Sequence, residues 1–226
     1  MRKRSLKAVS IASPVLILAA ALWISSSKVR ADDDGNNEQS KIQQGFRIAP
    51  VPLNLAGKNR DLVGLGSYLV NAVADCNACH GIGPPFLTAF LPGHNPFQGQ
   101  SKIINPATYL GGGRDFGPLV AGSAHIISRN LTPDITGRPE GGRKLEDFLF
   151  IMKTGTDLDH LHPTCIGAPN AGCVPPPYDG DLLQIMPWPS FQEMTDHDLR
   201  AIYEYLSAIP CIAGPPKPSP LHNECP

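Results

Sequence analysis

Apolar positions recur at helical spacing in three stretches of the chain. Between Arg60 and Ala74 they fall at Leu62, Leu65, Leu69, Ala72 and Val73, which predicts an amphipathic helix running into Cys76. Leu145, Phe148, Leu149 and Met152 predict a second helix over 144–154, with Gly155 as its stop. Leu199, Ile202, Leu206 and Ile209 predict a third, opened by the near capping box Thr195-Asp196-His197-Asp198 and ended by Pro210. No alternating run is long enough to predict a sheet. Residues 81–142 and 155–189 show no period and read as loop, the first a long insertion.

Composition explains the gaps. Pro and Gly number 24 and 22 of 226 residues, which excludes a coiled coil, and 42% hydrophobic content excludes global disorder. A core so interrupted calls for a staple: disulfide, metal or cofactor.

The first 31 residues carry Arg2, Lys3, Arg4, Lys7, Lys28 and Arg30, no acid, and a mostly apolar run from Ala8 to Ile24. This pattern predicts a signal peptide over 1–31, cleaved after Ala31, and a periplasmic or otherwise exported protein. An uncleaved membrane anchor is the alternative, and membrane association is expected only in that case. Cleavage leaves 13 basic and 20 acidic side chains, a net charge of −7 with His neutral. No basic cluster survives, so nucleic acid is not expected as a partner. Residues 32–56 read as a polar, solvated arm, 57–210 as the folded domain, and 211–226 as a Pro-rich tail.

Six cysteines in an exported chain imply an oxidising compartment. Four of them, Cys165, Cys173, Cys211 and Cys225, allow three pairings, of which short loops favour Cys165–Cys173 and Cys211–Cys225.

The other two stand in Cys76-Asn77-Ala78-Cys79-His80. Chance gives such a pattern in this composition on the order of 0.005 times. Two residues between the cysteines let both thiols reach one porphyrin edge as thioethers, and the adjacent His supplies the proximal ligand to iron. A thioredoxin-like pair needs a preceding strand, whereas here a helix precedes. A zinc site needs a second pair at like spacing, which the other cysteines do not supply. One covalent haem c is therefore expected on Cys76, Cys79 and His80.

The sixth ligand must come from elsewhere. Met152 reads as core and Met194 as packing at a helix start. Met186 lies in a loop held extended by Pro187, where a thioether can be presented across the distal face. His94, His125, His160 and His162 are competitors. The Asp157–His162 run is metal-like in content but reads as a solvated loop, and Gly111-Gly112-Gly113 reads as a flexible turn.

Several segments resemble a known family. Gly66-Ser67-Tyr68-Leu69-Val70 before the haem motif resembles the first helix of monohaem c-type cytochromes. Met186-Pro187-Trp188-Pro189-Ser190-Phe191, followed by Asp198 to Leu206, resembles their Met loop and C-terminal helix. Asn130-Leu131-Thr132-Pro133-Asp134 and Thr136-Gly137 resemble segments of the cytochrome subunits that serve periplasmic alcohol and aldehyde dehydrogenases. Those subunits usually carry three haem motifs and a Trp after the Thr-Gly; this chain has one motif and lacks that Trp.

The resemblance implies an all-α, class I-like cytochrome c fold, with N- and C-terminal helices crossing around one covalent haem. It also implies Met186 as the second axial ligand and a propionate contact near Asn130. The function it implies is that of an exported one-electron carrier and not an enzyme. A dehydrogenase upstream and an oxidase or another cytochrome downstream are the expected partners, and the chain is a possible subunit of a dehydrogenase complex. The alternative is an open-coordination haem protein with peroxidase-like or ligand-sensing activity.

Overall fold

Asn59 opens a helix because its side-chain oxygen accepts from the backbone N–H groups of Asp61 and Leu62. In this computed structural model, which describes residues 29–84, 87–217, 219 and 221–226, the chain begins with helix α1, Val29–Ile48. Helix α2 follows at Arg60–Tyr68 and continues as a π-helical turn, Leu69–Val73. Short α3, Cys76–His80, carries the Cys-x-x-Cys-His motif. A 3-10 turn at Pro96–Gln98 precedes strands β1, Asp115–Pro118, and β2, His125–Ile127. These strands pair antiparallel, with an irregularity in register between Asp115 and Pro118. A helical turn at Pro139–Gly142 is broken by Glu140 and Gly141, both at positive φ. Helices α4 (Leu145–Thr154), α5 (Trp188–Phe191) and α6 (Asp196–Leu206) complete the order.

The chain divides into two compact units, Met1–Gln39 and Ser40–Pro226. The described part of the first is the N-terminal half of α1. The expected signal peptide, residues 1–31, lies almost wholly outside the described residues.

The second unit is organised by the crossing of α2 and α6. Gly66 makes the approach close: a Cβ there would sit 1.9 Å from the Ala201 carbonyl oxygen. Val63, Val70, Leu199, Tyr205 and Leu206 are wholly or almost wholly buried around the crossing. Each fully buried aliphatic side chain there contributes about 1.5–3 kcal/mol. Thr195 caps α6 by accepting from the Asp198 N–H, and Gly155 ends α4 at φ 72. Polar groups are satisfied inside this core. The Tyr109 hydroxyl lies 2.5 Å from Asn71 Oδ1 and 2.8 Å from the Tyr205 hydroxyl, joining the π turn, the insertion and α6.

Two expectations need correction. The fold is not the all-α cytochrome c fold expected: the insertion builds a two-stranded antiparallel sheet, and helices cover a minority of the described residues. The strands are three and four residues long, and β1 contains Gly117 and Pro118, so no alternation marks them in the sequence. The solvated arm expected over 32–56 is helical through Ile48, and Ile42 is buried. Its contact with α2 runs through backbone: a Cβ on Gly45 would lie 1.8 Å from the Gly64 carbonyl oxygen, and Ser67 Oγ donates to the Gly45 carbonyl at 2.7 Å. A helix docked through glycine needs few apolar residues, so it shows no period.

The disulfides are Cys165–Cys173 and Cys211–Cys225, the pairing that short loops favour. They place the chain in an oxidising environment. Among the described residues no helix is long and apolar enough to cross a membrane.

Candidate functional site

The two remaining cysteines, Cys76 and Cys79, are not disulfide-bonded. They line a cavity with about 1320 Å³ of space free of atoms, part of it open to solvent. His80 and Met186 line the same cavity, so all four residues expected to hold a haem come to one place. The wall is chiefly apolar, supplied by Phe116 and Ile126 from the sheet region, Ile151 and Met152 from α4, and Ile202 and Leu206 from α6.

The motif is fixed by the segment around residues 108–114. The Leu110 N–H donates to Asn77 Oδ1 at 2.9 Å, and the Gly112 N–H donates to the His80 carbonyl at 2.7 Å. The Arg114 guanidinium donates to the Ala78 carbonyl. Gly112 has φ 70, and a Cβ on it would meet the Arg129 backbone at 2.4 Å. The expected flexible turn is thus a tight backbone crossing that presses residues 128–130 against His80. Asp75, just before the motif, is itself held at φ 45, a left-handed conformation that costs a non-glycine residue about 1–3 kcal/mol.

The result is an oriented imidazole. His80 Nδ1 lies 2.8 Å from the Arg129 carbonyl oxygen, so Nδ1 carries the proton and Nε2 keeps its lone pair for a metal. Burial lowers the pKa of His80, and the nearby Arg129 charge lowers it further, against the raising effect of that hydrogen bond. The net direction favours the neutral, ligating form. The Cys76 thiol is pushed up to about 12, first by burial and then by Asp75 and Cys79. That direction keeps the Cys76 thiol protonated rather than as a free reactive thiolate.

Met186 stands in the loop before α5. Ile185 beside it has φ 69, an outlier for a β-branched side chain, and it too lines the cavity. The loop's strain falls at the residue that sets where Met186 projects. The donor set therefore fits a c-type haem: two thiols on one helical turn, a neutral imidazole with its remote nitrogen tied back, and a thioether across an apolar space.

The other candidates resolve differently. Met152 is buried in the core as well as lining the cavity, and Met194 packs against the core. His94 and His125 are tied to Ser101 and Asp115, and His160 to Asp181, away from the four-residue set. His162 lines the cavity, and its shielded Nδ1 has no hydrogen-bond partner. No cluster of three or more metal-binding side chains occurs among the described residues, Asp157–His162 included. That run is not simply solvated either: Asp157 is 7% exposed and pairs with Arg129 at 2.6 Å. Asn130 is also occupied. Its side-chain amide donates to the carbonyls of Ile212 (2.8 Å) and Leu221 (3.3 Å), so it pins the tail instead of facing the cavity.

Arg129 and Glu140 are cavity residues the sequence did not reveal. Arg129 adjoins the Asn-Leu-Thr-Pro-Asp segment, the one local hint of its place; nothing in the pattern marks Glu140. No family model, curated protein or solved structure matches the chain.

Proposed function

We propose that the chain is an exported c-type cytochrome that carries one electron at a time between protein partners. The observation that carries this reading is the convergence of Cys76, Cys79, His80 and Met186 on one apolar cavity. When bound, the haem supplies a one-electron iron couple.

The chain's own residues do the rest. Cys76 and Cys79 would hold the group covalently, and His80, oriented by the Arg129 carbonyl, would supply an imidazole nitrogen to its iron. Met186, lining the same cavity, would supply a thioether as a further ligand; an iron held by both residues would have no position for substrate, which favours electron transfer over catalysis. The apolar wall of Phe116, Ile126, Ile151 and Leu206 would limit the water around the bound group, so that less solvent would reorganise when its charge changes. Ile127 and Ile185, 40% and 46% exposed, give the mouth an apolar rim on which a partner can dock briefly. The periplasm is the compartment that fits both the disulfides and covalent haem attachment. The upstream partner is a dehydrogenase, either as a separate donor or as a complex that holds this chain as its cytochrome subunit.

Oxidised and reduced absorption spectra of protein matured in a periplasm test this. A c-type spectrum with the weak far-red band of Met–ferric ligation, lost in Met186→Ala, is expected. A c-type spectrum without that band, changed by carbon monoxide, overturns the carrier reading in favour of an open-coordination enzyme or sensor.

A further inference from the structure

At one side of the cavity, charge is concentrated. Arg129 holds Asp157 at 2.6 Å and Asp159 at 2.7 Å, and Arg143 holds Asp159 at 3.0 Å. Glu140 lines the cavity beside these groups, on a left-handed turn with φ 50 and ψ 57. Two guanidiniums thus face three carboxylates. Arg129 is engaged by both aspartates and Arg143 by Asp159, with the buried Arg143 Nε left without a partner; among the described residues no ion pair joins either arginine to the Glu140 carboxylate. A glutamate held in the left-handed region, with its acid lining an apolar cavity, is costly, and such costs cluster at working groups.

We propose that Glu140 is a proton-binding site coupled to the oxidation state of the iron. This rests on the reading of the chain as a haem protein. Glu140 takes one proton from water when the iron gains an electron from a one-electron donor, and it returns that proton when the electron leaves. Arg129 links the two sites: its guanidinium faces Glu140 and its carbonyl accepts from His80. An added electron makes the cavity more negative, which disfavours the third carboxylate and raises its affinity for a proton.

The groups facing Glu140 are Arg143 on its own turn, Arg129 after β2, and Asp157 and Asp159 after α4. His162, after Asp159, lines the same cavity. Burial dominates over the two arginines and brings Glu140 up to about 7, within the range where a proton can come and go. His162 is lowered, first by burial.

The test is the midpoint potential of the haem-loaded protein, titrated with soluble one-electron mediators from about pH 5.5 to 8.5. The wild type should fall with pH in a window around neutrality, approaching a tenfold change in the redox ratio per pH unit, about 59 mV for one electron. Glu140→Gln should flatten that fall and match the low-pH wild type, and so lie above the wild type at high pH. His162→Gln should keep the slope. Redox difference infrared spectra should show a protonated carboxyl band on reduction that Glu140→Gln lacks. A flat wild-type profile in a haem-bearing protein overturns the inference and leaves the carrier reading standing. A slope that survives Glu140→Gln also overturns it, and its loss in His162→Gln would assign the proton to that residue. Absence of covalent haem overturns both readings.

Discussion

Gly66→Ala tests whether the helix crossing that frames the cavity is as close as described. Within a helix, alanine is favoured over glycine by about 0.5–1 kcal/mol, so from α2 alone the substitution should stabilise. The crossing opposes this. The new Cβ would lie 1.9 Å from the Ala201 carbonyl oxygen, 2.5 Å from its carbon and 2.7 Å from the Tyr205 Cβ. Two of those atoms are backbone and cannot rotate away, so α2 and α6 must separate. Overpacking of this kind costs about 1–3 kcal/mol, and the backbone contact puts it at the upper end. The expected net effect is a loss of about 2 kcal/mol, which in a domain of this size lowers Tm by about 4–8 °C. Urea unfolding followed by circular dichroism reads it directly. Gly172→Ala is the control, since its Cβ meets nothing closer than Asn170 Oδ1 at 3.3 Å; it should stay within about 0.5 kcal/mol of the wild type. A Gly66→Ala protein as stable as the wild type, or more stable, would refute the close crossing.

Three further outcomes follow from the same structure. Replacing Cys165 and Cys173 together by Ser releases a loop closed over a separation of 8 residues, and should cost about 2.5 kcal/mol, read as a lower urea midpoint. Asn130→Ala removes the side-chain donor to the carbonyls of Ile212 and Leu221 and the acceptor of the buried Thr132 N–H, and should cost about 1–3 kcal/mol, with limited proteolysis cutting first in the released tail. Tyr109 and Tyr205 are raised above the ordinary phenol range, chiefly by burial. The folded form therefore holds protons that the unfolded form loses, so stability is full below about pH 10 and falls as pH rises beyond it. Tyr109→Phe should make that alkaline fall shallower in pH-dependent urea titrations; an unchanged slope would contradict the burial of this pair.

What could be read from the sequence was local and chemically explicit. Thr195, Asp198 and Gly155 fixed helix ends because capping is a contact between near neighbours. Leu199, Ile202 and Leu206 were legible as core because one face of α6 repeats them, while Ile209, expected on the same helix, is buried just beyond its end. Cys76, Cys79 and His80 are contiguous, and Met186 is marked by Pro187. What could not be read was built by backbone contact between distant segments. Gly45 against Gly64, and Gly112 against Arg129, leave no apolar period, only a glycine that reads as a turn. The short sheet was hidden for a related reason, since Gly117 and Pro118 mask the alternation that would announce a strand. Glu140 is set by a tertiary charge balance that no spacing encodes.

The most direct test of the central claim is the intact mass of the denatured protein after production with periplasmic haem maturation. The account predicts a mass increased by one haem that survives denaturation and acid extraction, and that is lost when Cys76 and Cys79 are both replaced by alanine. A mass equal to that of the polypeptide alone, with Cys76 and Cys79 free to react with a thiol reagent, would contradict it.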